Sequence, residues 1–211
     1  MHAPALSTRR VGIYLFDEVE ALDFAGPYEV FTTASRVARK LWPEQPTPFE
    51  VCAVARDAQP RRARAGLRLL PDHTLSDHPP LDVLVVPGGV VTAEMQQPDL
   101  MAWIAAQAAT CELTVSVCTG AFLLAQAGVL RTHRVTTHWE DLADLRQQFP
   151  ELQVLDGVRW VDEGRVITSA GISAGVDMSL HAVSRLLSLQ LAQATARQMD
   201  YHWPPDRLTS A

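Results

Sequence analysis

Short apolar runs along the chain alternate with longer stretches in which apolar residues recur at helical spacing. Residues 11–16 (VGIYLF), 49–55 (FEVCAVA), 81–86 (LDVLVV) and 113–117 (LTVSV) have strand length and few polar positions, the pattern of strands covered on both faces. A helix is expected from Pro27, where proline suits a first turn, with Tyr28, Val30, Phe31, Ala34 and Val37 along one side. Further helices are predicted over residues 99–109, 119–127 (closed by Gly128), 139–148 and 174–189, with a short one after the last. Residues 134–137, 158–162 and 165–168 read as strands, the last two joined at Glu163-Gly164. Residues 63–70 alternate weakly, as a small hairpin arm would, and the proline-bearing segment 42–48 reads as a loop.

Strands alternating with helices require crossover connections. The expected fold is therefore α/β, a doubly wound and mostly parallel sheet with helices on both faces. The chain has 211 residues and shows no repeat or linker, which favours a single domain. Residues 10–203 are assigned to it, with tails over 1–9 and 204–211. No apolar run approaches the length of a membrane span, and the N-terminus lacks the apolar segment of a signal peptide, so a cytoplasmic protein is expected. The net charge of −6, from 18 basic and 24 acidic residues, speaks against a nucleic-acid partner. The cluster Arg61, Arg62, Arg64 and Arg68 is taken as a solvated edge. Three cysteines without a C-x-x-C pair fit neither a disulfide framework nor a zinc site, and no metal or other cofactor is expected.

In an open parallel sheet, ligands gather beyond the carboxyl ends of the strands. At one such end, Ser116-Val117-Cys118-Thr119-Gly120 carries a strand directly into a helix with no loop between them. So sharp a turn strains its central residue and needs small neighbours, which Ser116 and Gly120 supply. This is the logic of a nucleophile elbow with cysteine as the nucleophile. The helix N-terminus behind Cys118 is expected to favour thiolate. Cys52 and Cys111 read as structural.

Gly88 and Gly89, after residues 81–86, allow a tight turn whose N–H groups, with that of Thr119, form an expected oxyanion hole. Asp23, after the first strand, reads equally as a helix cap or as a carboxylate handling the Cys118 proton, with Asp17 and Glu18 as competing acids. His138 is a candidate base or a local hydrogen-bonding group, the latter favoured. Gly171, Ile172 and Ser173 lead into the long helix and are assigned to the pocket, and Asp177 reads as a cap or a ligand.

These segments carry a resemblance. The stretches 22–30 (LDFAGPYEV), 86–89 (VPGG), 117–120 (VCTG), 136–139 (TTHW) and 169–177 (SAGISAGVD) together resemble the ThiJ/PfpI superfamily. The resemblance implies a flavodoxin-like fold akin to class I glutamine amidotransferases. Thr119 stands where peptidase-like members carry a histidine, which turns the comparison toward isocyanide hydratases and the ligand-sensing half of AraC-type regulators. The regulators add a helix-turn-helix region of roughly a hundred residues. This chain ends at Ala211, so DNA binding through such a module is not expected. The acidic stretch 17–20 and the long segment 36–48 depart from the hydratase pattern.

What the hydratase resemblance implies is a small electrophilic substrate. Cys118 attacks the isocyanide carbon to give a thioimidate, and Asp23 moves protons and activates water. Thr119 and Gly89 offer backbone N–H groups, and the chain forms a homodimer. The alternative carried alongside is a non-catalytic ligand- or redox-sensing protein that uses the same pocket.

Overall fold

The computed structural model describes residues 7–203. Of the expected tails, residues 1–6 and 204–211 lie outside the described residues, whereas Arg9 already begins the first strand. In chain order the elements are β1 (Arg9–Tyr14), α1 (Ala21–Leu41), β2 (Phe49–Ala55), β3 (Arg61–Arg62), β4 (Arg68–Leu69), β5 (His73–Thr74) and β6 (Val83–Val86). There follow α2 (Pro98–Thr110), β7 (Leu113–Val117), α3 (Gly120–Gln126), β8 (Arg134–Val135) and α4 (Leu142–Gln148). The chain continues with β9 (Gln153–Val154), β10 (Trp160–Asp162), β11 (Val166–Ser169), α5 (Ala174–Leu186) and α6 (Leu189–Gln198).

The main sheet has seven strands in the order β10-β11-β7-β6-β1-β2-β5. All neighbours are parallel except the β10–β11 hairpin. Every residue of β6 and β7 is buried, as continuous apolar strands at the centre of a two-sided sheet must be. Helices α1, α5 and α6 pack on one another and against the sheet, α1 on β1 and β2 and α5 on β7 and β11; α2 and α3 pack together elsewhere, with α3 on β6 and β7. The doubly wound α/β expectation holds.

Two local expectations need correction. Pro27 does not open its helix: α1 begins at Ala21 and carries Pro27 in its interior. Proline lacks the N–H that would bond the carbonyl of Asp23 four residues back, which costs helix stability in isolation. Tertiary packing outweighs that cost, because the first two turns bury Asp23 and Phe24 and set Gly26 against Val176. The arginine cluster is not simply a solvated edge either. Arg61 is largely covered and pairs with Asp57 at 2.6 Å and Asp17 at 3.4 Å. These bonds fasten the β3–β4 arm onto the loop after β1, where Glu18 N–H donates to Arg62 O (2.7 Å) and Arg64 N–H to Val19 O (3.1 Å).

Candidate active site

Four strand ends meet at one edge of the sheet. Loops after β1 and β6 are joined by a bridge between Val19 and Gly89 and by Glu20 N–H donating to Gly88 O (2.8 Å). Cys118 directly follows β7, and the turn after β11 brings Ile172 to the same place. Between them opens a cleft of about 380 Å³, lined by Cys118, Thr119, Gly89, His138 and Ile172 among others. That volume is in the range of small-molecule sites.

Cys118 sits at φ +56°, the left-handed region that a side chain occupies only under constraint. The cost is on the order of 1–3 kcal/mol, and the surroundings must offset it. Both backbone groups are held: Cys118 N–H donates to Ser169 O (3.1 Å), and its carbonyl accepts from Thr137 Oγ1 (2.8 Å). The small neighbours are required by space. A Cβ at Gly120 would run into the carbonyl oxygen of Val86, and one at Gly88 would come within 2.6 Å of Thr119 N and 2.8 Å of Cys118 Cβ. The strand-to-helix elbow read from the sequence is present at Cys118.

Asp23 is fully buried, with 0% exposure, and Cys118 retains 8%. The carboxylate accepts from Gly88 N–H at Oδ2 (3.1 Å), while Oδ1 has no hydrogen-bond partner among the described residues. Asp23 is thus neither a cap nor a turn residue: it lies in the first turn of α1 and faces the Cys118 thiol and the Ile172 N–H. Burial raises its carboxyl to about 7; the Gly88 N–H works in the opposite direction, and the charge of Glu20 adds to the rise. The competing acids are elsewhere. Asp17 accepts from Arg62 N–H (2.8 Å), and Glu18 is exposed.

The surroundings of the sulfur work against the expected thiolate. Burial pushes the Cys118 thiol well above its ordinary value, and the charge of Asp23 pushes it further. The Thr119 N–H favours thiolate but is outweighed. Helix α3 has only seven residues, so its dipole is short.

The structure also revises the expected oxyanion hole. Gly89 N–H donates to Thr119 Oγ1 (2.9 Å), and that hydroxyl donates to Gly89 O (2.8 Å). The Gly89 donor is therefore engaged, and Gly88 N–H serves Asp23. Of the three expected donors, the Thr119 N–H is the one directed at the sulfur.

His138 takes a local role. Its Nδ1 lies 3.4 Å from Asp141 and 3.7 Å from Glu140, and its ring fills the space that a side chain at Gly171 would need. Ile172 lines the cleft, but Ser173 turns away and accepts from Arg159 (3.1 Å). Sequence reasoning missed the far wall. Glu20, Glu140, Asp141 and Asp144 give it acidic character, with Arg64 paired to Glu20 at 3.6 Å, and Met95 and Phe122 supply apolar surface. Asp141 and Asp144 lie three residues apart at the start of α4, a spacing that puts both on one side of a helix. No group of three or more histidine, cysteine or acidic side chains arranged to hold a metal is found among the described residues. No helix there is long and apolar enough to cross a membrane.

Comparisons with known proteins agree with this fold. Isonitrile hydratase of Pseudomonas putida is 35% identical over 193 residues, covering 91% of this chain and 78% of that protein. The HTH-type transcriptional regulator GbdR of Pseudomonas aeruginosa is 28% identical over 90% of this chain but only 50% of its own length. A crystal structure of a ThiJ/PfpI family protein from Pseudomonas syringae superposes with a TM-score of 0.81 at 25% identity, covering 96% of this chain and 79% of that one. The DJ-1/PfpI family matches residues 9–185, and the chain belongs to that family.

Proposed function

We propose that this protein is a cysteine-dependent hydratase that converts isocyanides to N-substituted formamides. The observation that carries the reading is the buried Asp23 facing Cys118 on its elbow, with the carboxyl at about 7 and Thr119 following the cysteine. An isocyanide carbon must receive both a nucleophile and a proton, and a thiol sharing its proton with a carboxylate supplies both.

In the first step the Cys118 sulfur bonds to the isocyanide carbon while the pair's proton passes to that carbon, giving a thioimidate, R–N=CH–S. Asp23, now a carboxylate, takes a proton from water as its oxygen adds to the same carbon. The Thr119 N–H stabilises charge at the reacting centre, the acid returns its proton to nitrogen, and as the C–S bond breaks the hydroxyl proton passes by way of Asp23 to the departing sulfur. The net change is addition of one water, R–NC to R–NH–CHO, and the thiol is regenerated. The 35% identity to isonitrile hydratase supports this substrate class. A homodimer in the cytoplasm, with neither nucleic acid nor membrane as partner, goes with the reading.

The test is turnover of an aryl isocyanide followed by ultraviolet absorbance, with intact mass of the protein measured in the same mixture. Wild type is expected to form formamide through a transient adduct, and Cys118→Ala to lose turnover while keeping its fold. Unchanged turnover in Cys118→Ala would sink the proposal. A second reading, a ligand or redox sensor using the same cleft, draws its support from the 28% identity to the regulator GbdR over 90% of this chain. Peroxide adding oxygen mass to wild type alone, without isocyanide turnover, would decide for it.

A further inference from the structure

Residues 90–96 form one wall of the cleft, and most of that wall is fastened only to itself. Val90, Val91, Thr92 and Met95 line the space in front of Cys118. The start of the segment is fixed, because Val90 N–H donates to Glu18 O (3.0 Å) beside the Val19–Gly89 bridge. Beyond Val90 the hydrogen bonds turn inward. Met95 N–H donates to Val91 O (2.9 Å) and Gln96 N–H to Ala93 O (3.3 Å). Gln97 donates from its backbone to Glu94 O (3.1 Å) and from its side chain to Ala93 O (3.2 Å). The only regular structure here is a 3-10 turn over Glu94–Gln96, and a turn of that kind is weakly bonded.

Among the described residues, one hydrogen bond of residues 91–96 leaves the segment. Tyr14, the last residue of β1, is fully buried with its ring against Phe16 and Trp103, and its hydroxyl donates to Glu94 Oε2. A buried phenol needs a partner, and Glu94 is the one it has there. Burial and then the Glu94 charge raise the Tyr14 hydroxyl far above its ordinary value, so it remains a donor. Glu94 is half-buried, whereas Thr92, Ala93 and Gln96 around it are exposed. Its side chain is thus the one that reaches from the wall down to the sheet. Packing does the rest: Val91 is buried, and the 94–96 turn lies against α2 and α3. Apolar contact has no preferred direction, while a charge-assisted hydrogen bond from a rigid strand fixes a position.

We propose that Tyr14 is a positioning residue that sets the size selectivity of the cleft: through Glu94 it pins the 90–96 wall to the end of β1, so that the space before Cys118 keeps a fixed width and rejects bulkier groups. Neither Tyr14 nor Glu94 lines the cleft, so both act through the wall. The proposal rests on the reading of Cys118 as the reacting residue, but not on an isocyanide as the substrate. A held wall excludes by shape; a loosened one yields, and discrimination between small and large groups falls.

The experiment pairs amide hydrogen exchange, read by mass spectrometry, with alkylation of Cys118 by iodoacetamide and by iodoacetanilide. The two reagents share a reacting carbon and differ by a phenyl ring, so the ratio of their rates cancels any change in the thiol itself. Neither measurement needs isocyanide turnover, so failure of the hydratase reading leaves both legible. The proteins are wild type, Tyr14→Phe and Glu94→Gln, with Cys118→Ala giving the background from Cys52 and Cys111. Tyr14→Phe keeps the buried ring and leaves Glu94 free to turn to solvent, so the fold is expected to survive. Exchange over residues 90–97 is expected to quicken roughly tenfold in Tyr14→Phe, the worth of one hydrogen bond to a charged group, with β6 and β7 unchanged. The iodoacetanilide-to-iodoacetamide ratio is expected to rise about three- to tenfold, within what that one bond can release. Glu94→Gln keeps an acceptor for the hydroxyl and is expected to stay near wild type in both readings. An unmoved ratio would overturn the proposal, as would exchange that is unchanged over residues 90–97 or raised equally throughout the chain. If the wild-type thiol is closed to both reagents, exchange over residues 90–97 decides alone.

Discussion

Replacing Asp23 by asparagine should make this protein more stable and less reactive, and the gain should depend on pH. The carboxyl is fully buried, and burial moves it from an ordinary 3.8 to about 7. At 1.36 kcal/mol per pH unit, the ionised form costs the fold about 4 kcal/mol. The sign follows from proton counting. Between about pH 4 and pH 7 the folded chain keeps a proton that the unfolded chain has released, so stability falls as pH rises through that window. Above about pH 7 both states have lost the proton, and the full cost is present.

An asparagine has the carboxyl's shape and never ionises. Its oxygen still accepts from Gly88 N–H, but its NH2 has only the Cys118 sulfur and neighbouring space to serve, which returns about 1–2 kcal/mol of the gain. A net gain of about 2–3 kcal/mol at pH 8 corresponds to a melting temperature higher by roughly 4–12 °C for a chain of this size. At pH 5, where the wild-type acid is protonated, the variant should melt at or slightly below wild type. The assay is thermal unfolding by circular dichroism of both proteins at half-unit intervals from pH 5 to 8.5, with isocyanide turnover measured on the same samples. A difference that is flat across pH, or a wild type that remains the more stable at pH 8, would refute the argument that burial raises Asp23.

Other changes probe the frame around that pair. Gly120→Ala drives a methyl into the Val86 carbonyl at the centre of the sheet and should cost at least about 3 kcal/mol, seen as a large drop in urea midpoint with unchanged slope. Thr119→Val removes the hydroxyl that serves both Gly89 N–H and Gly89 O, leaving two groups unpaired; a loss of about 2 kcal/mol in chemical denaturation and weaker turnover are expected. Asp162 is half-buried; although burial opposes it, His181 at 2.7 Å, Gly164 N–H and Arg185 at 2.8 Å hold its carboxyl below the ordinary range. Its ionised form therefore adds stability above about pH 4 that is lost on acidification, and Asp162→Asn should lower the melting temperature by a few degrees at pH 7 but hardly at pH 3.

What the sequence disclosed, and what it hid, divides by the range of the forces involved. Strands β2 and β7 were legible to the residue because a run such as LTVSV, buried on both faces, fits no other environment in this fold. The elbow was legible for a similar reason: Ser116, Cys118 and Gly120 state a steric requirement within five residues. The start of α1 was not, because Gly26 and Pro27 are local signs of a loop while the helix there is held by partners far along the chain, Gly88 and Val176. The short pairings β5 and β9 were missed because two residues carry no period.

The same division bears on the thiolate expectation. A helix N-terminus behind Cys118 is a local feature and argues for thiolate, whereas burial is a property of the whole fold and Asp23 arrives from another strand end. Desolvation acts on the entire charge of the sulfur, while a seven-residue helix offers a fraction of one charge, so the non-local effect wins. The consequence for mechanism is specific. If the carbon took its proton from water rather than from Asp23, Asp23 would be dispensable for the first step, and Asp23→Asn would slow only hydrolysis of the adduct, which would then accumulate. With the proton held by the pair, Asp23→Asn must slow adduct formation itself, because the carbon loses its proton donor. Rapid mixing of the variant with an aryl isocyanide, followed by intact mass, separates the two: a slowly forming adduct supports Asp23 as the proton donor, and a fast, persistent one assigns that proton to another source.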